Sequence, residues 1–201
     1  MKSLKNRTLE QNLPWILAGG ASIGLLAAFV LTLEKIALLQ DPGHQLSCSI
    51  NPVLSCGSII MSDQASAFGF PNPFLGIAAF AVLITIGVAM LAGAKFKRWF
   101  WRGLQLGTIF GIGFVAWLIW ESLYDIGALC LYCLAVWSIT WPIFWYTTLY
   151  NLRKKNIPTP KSLKGVVAFA QRHHADILIA WYVLVIALII VNFWYYWSTL
   201  V

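Results

Sequence analysis

The chain has 201 residues, of which 60% are hydrophobic and 10% charged, with a formal net charge of +7. Such a composition excludes an ordinary water-soluble domain, in which about a quarter of the residues are charged. The basic excess alone would leave nucleic acid open as a partner, but the placement of the basic residues along the chain decides against it.

A spanning helix needs about 20 apolar residues, because ~1.5 Å of rise per residue must cross roughly 30 Å of hydrocarbon. Five stretches meet that requirement: 13–33, 73–94, 104–123, 129–150 and 177–197. They are continuously apolar rather than alternating, which favours helices over barrel strands. The expected fold is an all-α integral membrane protein. It has a tail at 1–12, a four-helix transmembrane bundle at 13–150, a linker at 151–176 and a fifth transmembrane helix at 177–201.

The first span follows Lys2, Lys5 and Arg7. A basic start before an apolar run resembles a secretory signal, yet the run is long and no convincing cleavage site follows, so it reads as an uncleaved span. Lys95, Lys97, Arg98 and Arg102 lie between the second and third spans. Arg153, Lys154, Lys155, Lys161, Lys164 and Arg172 lie between the fourth and fifth, in a linker broken by Pro158 and Pro160. Basic loops stay on the cytoplasmic side, which places the N-terminus inside and the C-terminus outside. Lys35, the remaining basic residue, ends the first span with a stem long enough to snorkel to the interface. Trp15, Trp99, Trp101, Trp120, Trp145 and Trp197 fall near span ends, where amphipathic rings are favoured. His173 and His174 read as an interfacial polar pair.

Loop 34–72 then faces outward. It carries Cys48 and Cys56 as C-S-I-N-P-V-L-S-C, followed by G-S-I-I-M-S-D-Q-A-S-A-F-G-F from Gly57 to Phe70. This second segment mixes apolar and small polar residues but is too short to span, so a short interfacial helix over the bundle is expected. A brief outer turn around Asp125 leads to Cys130 and Cys133, which open the fourth span as C-L-Y-C. All four cysteines therefore meet one membrane face, and the outer face is an oxidising compartment where disulfides persist.

Residues i and i+3 of a helix share a face, so Cys130 and Cys133 can close a disulfide. A helix start, with its unsatisfied N–H groups, also favours the reactive thiolate. Asp125 is a candidate cap for that helix. A disulfide loop held above a helix-start pair is the arrangement that thiol exchange requires. Two other readings are two structural disulfides and a four-thiolate zinc site. A structural pair has no need of a helix start, and the unlike spacings fit zinc ribbons poorly, so no metal is expected. Gly20 with Gly24, and Gly107 with Gly111, have the spacing of close helix contacts. Intramembrane charge is nearly absent apart from Glu121 at a span end, which argues against a transporter.

The strings S-C-S-I-N-P-V-L-S-C-G-S, G-F-P-N-P-F-L-G-I and I-G-A-L-C-L-Y-C, in this order, resemble the vitamin K epoxide reductase family, bacterial members above all, over about 13–150. The resemblance implies a bundle built around a quinone site and a membrane thiol oxidoreductase. Cys130 and Cys133 would be the active-site pair, with Cys133 facing the quinone. Cys48 and Cys56 would be the redox shuttle, Cys56 exchanging with Cys130 and Cys48 taking electrons from a reduced partner. Asn72 matches an asparagine that hydrogen-bonds a quinone carbonyl, and Ser62 a supporting loop serine. Phe74, Ile77 and Trp137 are apolar candidates for lining the pocket. Where vertebrate relatives have a tyrosine, this chain has Trp137, which offers an indole N–H but no ionisable hydroxyl. The resemblance thus does not extend to a tyrosine-dependent step such as epoxide handling.

The quinone could be menaquinone, ubiquinone or vitamin K. No fused thioredoxin-like domain follows the fifth span, so a separate DsbA-type thioredoxin-fold protein is the expected partner, at the outer face of a bacterial inner membrane. In a DsbB-type oxidase, which runs the same reaction on an unrelated family, the two cysteine motifs occur in the opposite order.

Overall fold

The computed structural model describes residues 11–198. The early basic residues Lys2, Lys5 and Arg7, most of the expected tail and the last three residues of the expected fifth span lie outside the described residues.

The first helix, α1 (Gln11–Gln40), has one π-helical stretch at Ile16–Gly20. A short α2 (Cys56–Ile60) and a 3-10 turn (Asp63–Ser66) follow in the loop before residue 73. Next comes α3 (Pro73–Leu91), started by a proline in its first turn, where the missing N–H costs nothing. The helix α4 (Arg98–Trp120) continues through a π-helical turn to Ile126. Then come α5 (Leu131–Arg153), α6 (Lys164–Arg172) and α7 (His174–Asn192). The described residues contain no β-strand, only an isolated parallel bridge between Leu54 and Leu129.

By length and composition α1, α3, α4 with its extension, and α7 can each cross a membrane. The 23 residues of α5 match them in reach, about 35 Å at ~1.5 Å per residue. This helix is less apolar because it runs through the middle of the bundle, between α1 and α4, with Trp137, Ile143, Thr147, Leu149 and Asn151 buried. The chain is thus a helical multi-pass membrane protein. Its third long helix begins six residues before the expected 104, because Trp99, Phe100 and Trp101 belong to the helix itself, with Trp101 buried against Tyr150.

Neighbours pack in the order α3, α1, α5, α4. Two glycines set how closely α1 and α3 approach. A Cβ on Gly24 would collide with the Phe80 ring, and one on Gly87 would strike the backbone at Pro14 and Ala18. The expected contact through Gly107 and Gly111 is not formed: nothing lies within 4 Å of a Cβ at Gly107, and only Thr140 lies near Gly111. Both glycines instead line a cavity, since α4 stands away from α3.

Two departures concern the linker after α5 and the last span. Residues 164–172 form a helix rather than a plain connection, with Val166 and Phe169 exposed on an amphipathic turn. The last long helix docks through Pro142. Lacking an N–H, Pro142 frees the Ser138 carbonyl inside α5, and the Tyr182 hydroxyl of α7 donates to it at 2.6 Å. Trp181 stacks on Trp141, and Asn192 donates to the Leu123 carbonyl. Of the tandem histidines, His173 meets Asp176, and His174 lies 3.1 Å from the Tyr146 hydroxyl.

Candidate active site at the cysteine end of the bundle

Local chemistry shapes the cysteine loop. The Asn51 side-chain oxygen accepts from the Val53 and Leu54 N–H groups, turning the chain before Pro52 can extend it. The turned segment pairs with the residues ahead of α5. Ser55 N donates to Leu129 O at 2.9 Å, and Leu129 N to Val53 O at 2.7 Å. Ser55 then caps α2 by accepting from Ser58 N. Since Cys56 and Cys130 each follow this bridge directly, their side chains emerge side by side.

The Cys48 and Cys56 sulfurs are bonded to each other, while Cys130 and Cys133 are free thiols. The Cys56 and Cys130 sulfurs are 3.0 Å apart. Cys48, Cys56 and Cys130 are all buried, at 1%, 0% and 0% exposure, and cluster with Ile60. Their sulfurs lie within 4.8 Å of one another, but the disulfide already occupies two of the three. Cys130 occupies the N-cap position of α5, without a side-chain capping bond, and Cys133 sits in its first turn. Asp125 does not cap this helix. It lies on the π-helical end of α4, before Gly127 reverses the chain at φ +67°, and it accepts from the Gln64 amide.

Beneath the cysteines is a cavity of about 540 Å³. Cys133, Trp137, Ser62 and Asn72 line it, with Gly107, Phe114 and Val115 of α4 on the facing wall. Phe74 does not line it and is 46% exposed; Ile77 is also absent from its wall. Val82 and Phe110 belong both to the lining and to the exposed surface, so the cavity opens sideways between α3 and α4, where lipid would lie.

The polar side chains around the cavity are spent mainly on the segment that covers it. Asn72 donates to Gln64 O at 2.7 Å and accepts from Ala67 N at 3.1 Å. Ser62 donates to Ile59 O at 2.8 Å. Gln64 gives its amide hydrogens to Glu121 and Asp125. Lys35, also in the wall, does not snorkel outward. It donates to Ile60 O at 3.1 Å and Ser66 Oγ at 3.3 Å, because the end of α2 leaves carbonyls without helical partners. Reading the sequence missed Lys35 and Gln64. The signal was available in Lys35, the one Lys or Arg between Arg7 and Lys95.

The lining suits an apolar ring with an isoprenoid tail. One hydrogen of the Asn72 amide nitrogen goes to Gln64, and the second can meet a carbonyl oxygen.

An all-helical membrane bundle with a disulfide in contact with a second cysteine pair defines, as a class, a membrane thiol–disulfide oxidoreductase. The sequence model of the Vitamin K epoxide reductase family matches residues 15–148, and the chain belongs to that family. A search of curated proteins finds no match to the chain.

Proposed function

We propose that the chain oxidises the dithiol of a separate DsbA-type thioredoxin-fold protein and passes the electrons to a membrane quinone, thereby supporting disulfide formation outside the cytoplasm. The observation that carries this reading is the continuous path from Cys48 through Cys56 and Cys130 to Cys133, which ends at the wall of a lipid-facing apolar cavity. The distribution of Lys and Arg supports an N-terminus in the cytoplasm of a bacterial inner membrane and cysteines on the outer face.

In the proposed cycle the partner thiolate attacks Cys48. The Cys48–Cys56 bond breaks, and Cys56 leaves as a thiolate. The partner's second thiolate then releases Cys48, closing the partner's own disulfide. Cys56 attacks Cys130 of the closed inner pair, freeing Cys133 as a thiolate, and Cys48 displaces Cys130 from Cys56. Two electrons have now moved from the partner to Cys130 and Cys133, and the shuttle disulfide is restored. This is the covalent state of the structure. A quinone supplies the sink, accepting two electrons and two protons to become quinol as Cys130 and Cys133 re-form their bond. Trp137 and Asn72 would hold the ring beside Cys133, and the apolar lining would exclude water.

The test is stoichiometric quinone reduction by the purified chain with a reduced thioredoxin-fold partner. One quinol per partner disulfide is expected. Cys133→Ala should abolish it, and retained activity in that variant removes the mechanism.

A further inference from the structure

Glu34 and Lys35 are consecutive residues near the outer end of α1, and they reach different halves of the outer loop. Neighbouring side chains on a helix point about 100° apart, so one turn can serve two directions. Lys35 holds the cavity cover at two points, Ile60 O and Ser66 Oγ. Glu34 holds the cysteine loop: it accepts from Ser47 N at 3.3 Å and from Ser47 Oγ, and its other oxygen is 3.3 Å from His44 Nε2. Ser47 directly precedes Cys48, and its hydroxyl is 3.0 Å from the hydroxyl of Tyr132, inside C-L-Y-C. The carboxylate therefore ties the shuttle loop to the motif carrying Cys130 and Cys133.

We propose that Glu34 and Lys35 are two separate positioning residues: Glu34 seats the shuttle disulfide on Cys130, and Lys35 seats the cover over the quinone cavity. This rests on the function proposed above. On the loop side, Lys35 meets a carbonyl and a hydroxyl, and Glu34 meets an N–H, a hydroxyl and His44. Charge-assisted bonds of this kind are stronger than neutral ones, so each half of the loop is fastened through one side chain of α1. Cys48 is buried, so a partner can reach it only after the loop lifts. Glu34 accordingly also governs access from outside.

The experiment uses the full chain in lipid nanodiscs, with dithiothreitol as dithiol and menadione as quinone. It compares Glu34→Ala, Lys35→Met and Lys35→Arg, each checked for native helix content. Three quantities are read: the KM for each substrate, menadione binding by tryptophan quenching, and the alkylation rate of Cys130 in protein whose inner pair is reduced while the shuttle disulfide is closed. Lys35→Met should weaken menadione binding and raise its KM about tenfold, with Cys130 alkylation unchanged, and Lys35→Arg should restore both. Glu34→Ala should speed Cys130 alkylation about tenfold and leave menadione binding unchanged. Folded variants that move both sets of readouts together, or neither, overturn the assignment. A wild-type chain that does not reduce menadione overturns the underlying function instead, and the alkylation rates still decide the role of Glu34.

Discussion

The sulfur of Cys130 stands 3.0 Å from the sulfur of Cys56 while Cys56 remains bonded to Cys48. The backbone bridge at Leu54 and Leu129 fixes this approach, so the contact does not depend on the Cys48 disulfide. In a Cys48→Ser, Cys133→Ser double variant, Cys56 and Cys130 should therefore close with each other rapidly under mild oxidation. The complementary pair left by Cys56→Ser, Cys130→Ser should close far more slowly. Mass spectrometry of non-reduced peptides distinguishes the two, and equal rates would mean that the loop is not held by the bridge.

A second outcome concerns the partner. If Cys48 is the first acceptor, Cys56→Ser leaves nothing to resolve its mixed disulfide from within the chain. A thioredoxin-fold protein whose resolving cysteine is replaced, and whose remaining cysteine is activated as a mixed disulfide with thionitrobenzoate, should be attacked by the Cys48 thiolate, release thionitrobenzoate and accumulate as a covalent adduct on Cys48, visible on a non-reducing gel. Adducts that form instead on Cys130 would reverse the proposed order of transfer.

The architecture was largely legible because lipid imposes simple demands: uninterrupted apolar runs, basic loops on one side and closed backbone hydrogen bonding. The cysteine motifs were legible through their spacing and the loop to which they belong. Placement of the cavity was not, because Gly107 and Gly111 have the same spacing whether they meet a helix or face a void. Nor could spacing reveal that Leu54 pairs with Leu129 across 75 positions of sequence. Lys35 was misjudged because an isolated lysine at a span end can reach water, whereas the bare carbonyl of Ile60 and the Ser66 hydroxyl draw it inward. The helix at 164–172 was obscured by its flanking prolines and lysines, although Val166, Val167 and Phe169 carry its apolar side.

Gly107 offers a way to fill the cavity without disturbing the sulfurs. A Cβ there meets nothing within 4 Å, and Gly107 lines the same cavity as Cys133. Gly107→Leu should fold, because it adds apolar volume where there is room and replaces a helix-weakening residue, a gain of up to about 1 kcal/mol in propensity. Its KM for menadione should rise by at least about tenfold while the 56–130 exchange keeps its rate. Stopped-flow thiol exchange alongside steady-state quinone reduction would measure both. Unchanged quinone kinetics would move the quinone site elsewhere.

The last long helix gives a prediction about stability rather than turnover. Among the contacts of α7, the Tyr182 hydroxyl fills the one carbonyl that Pro142 leaves without a helical donor. In Tyr182→Phe the ring stays but the Ser138 oxygen becomes unsatisfied in an apolar setting, a loss of about 1–3 kcal/mol. Pro142→Ala in the same background supplies an N–H to that carbonyl and should recover much of the loss, since the helical N–H then takes the place of the missing tyrosine hydroxyl. Thermal unfolding in detergent is the measurement. A double variant no more stable than Tyr182→Phe alone would mean that the proline does not free this carbonyl and that α7 is held chiefly by the Trp141 and Trp181 stack.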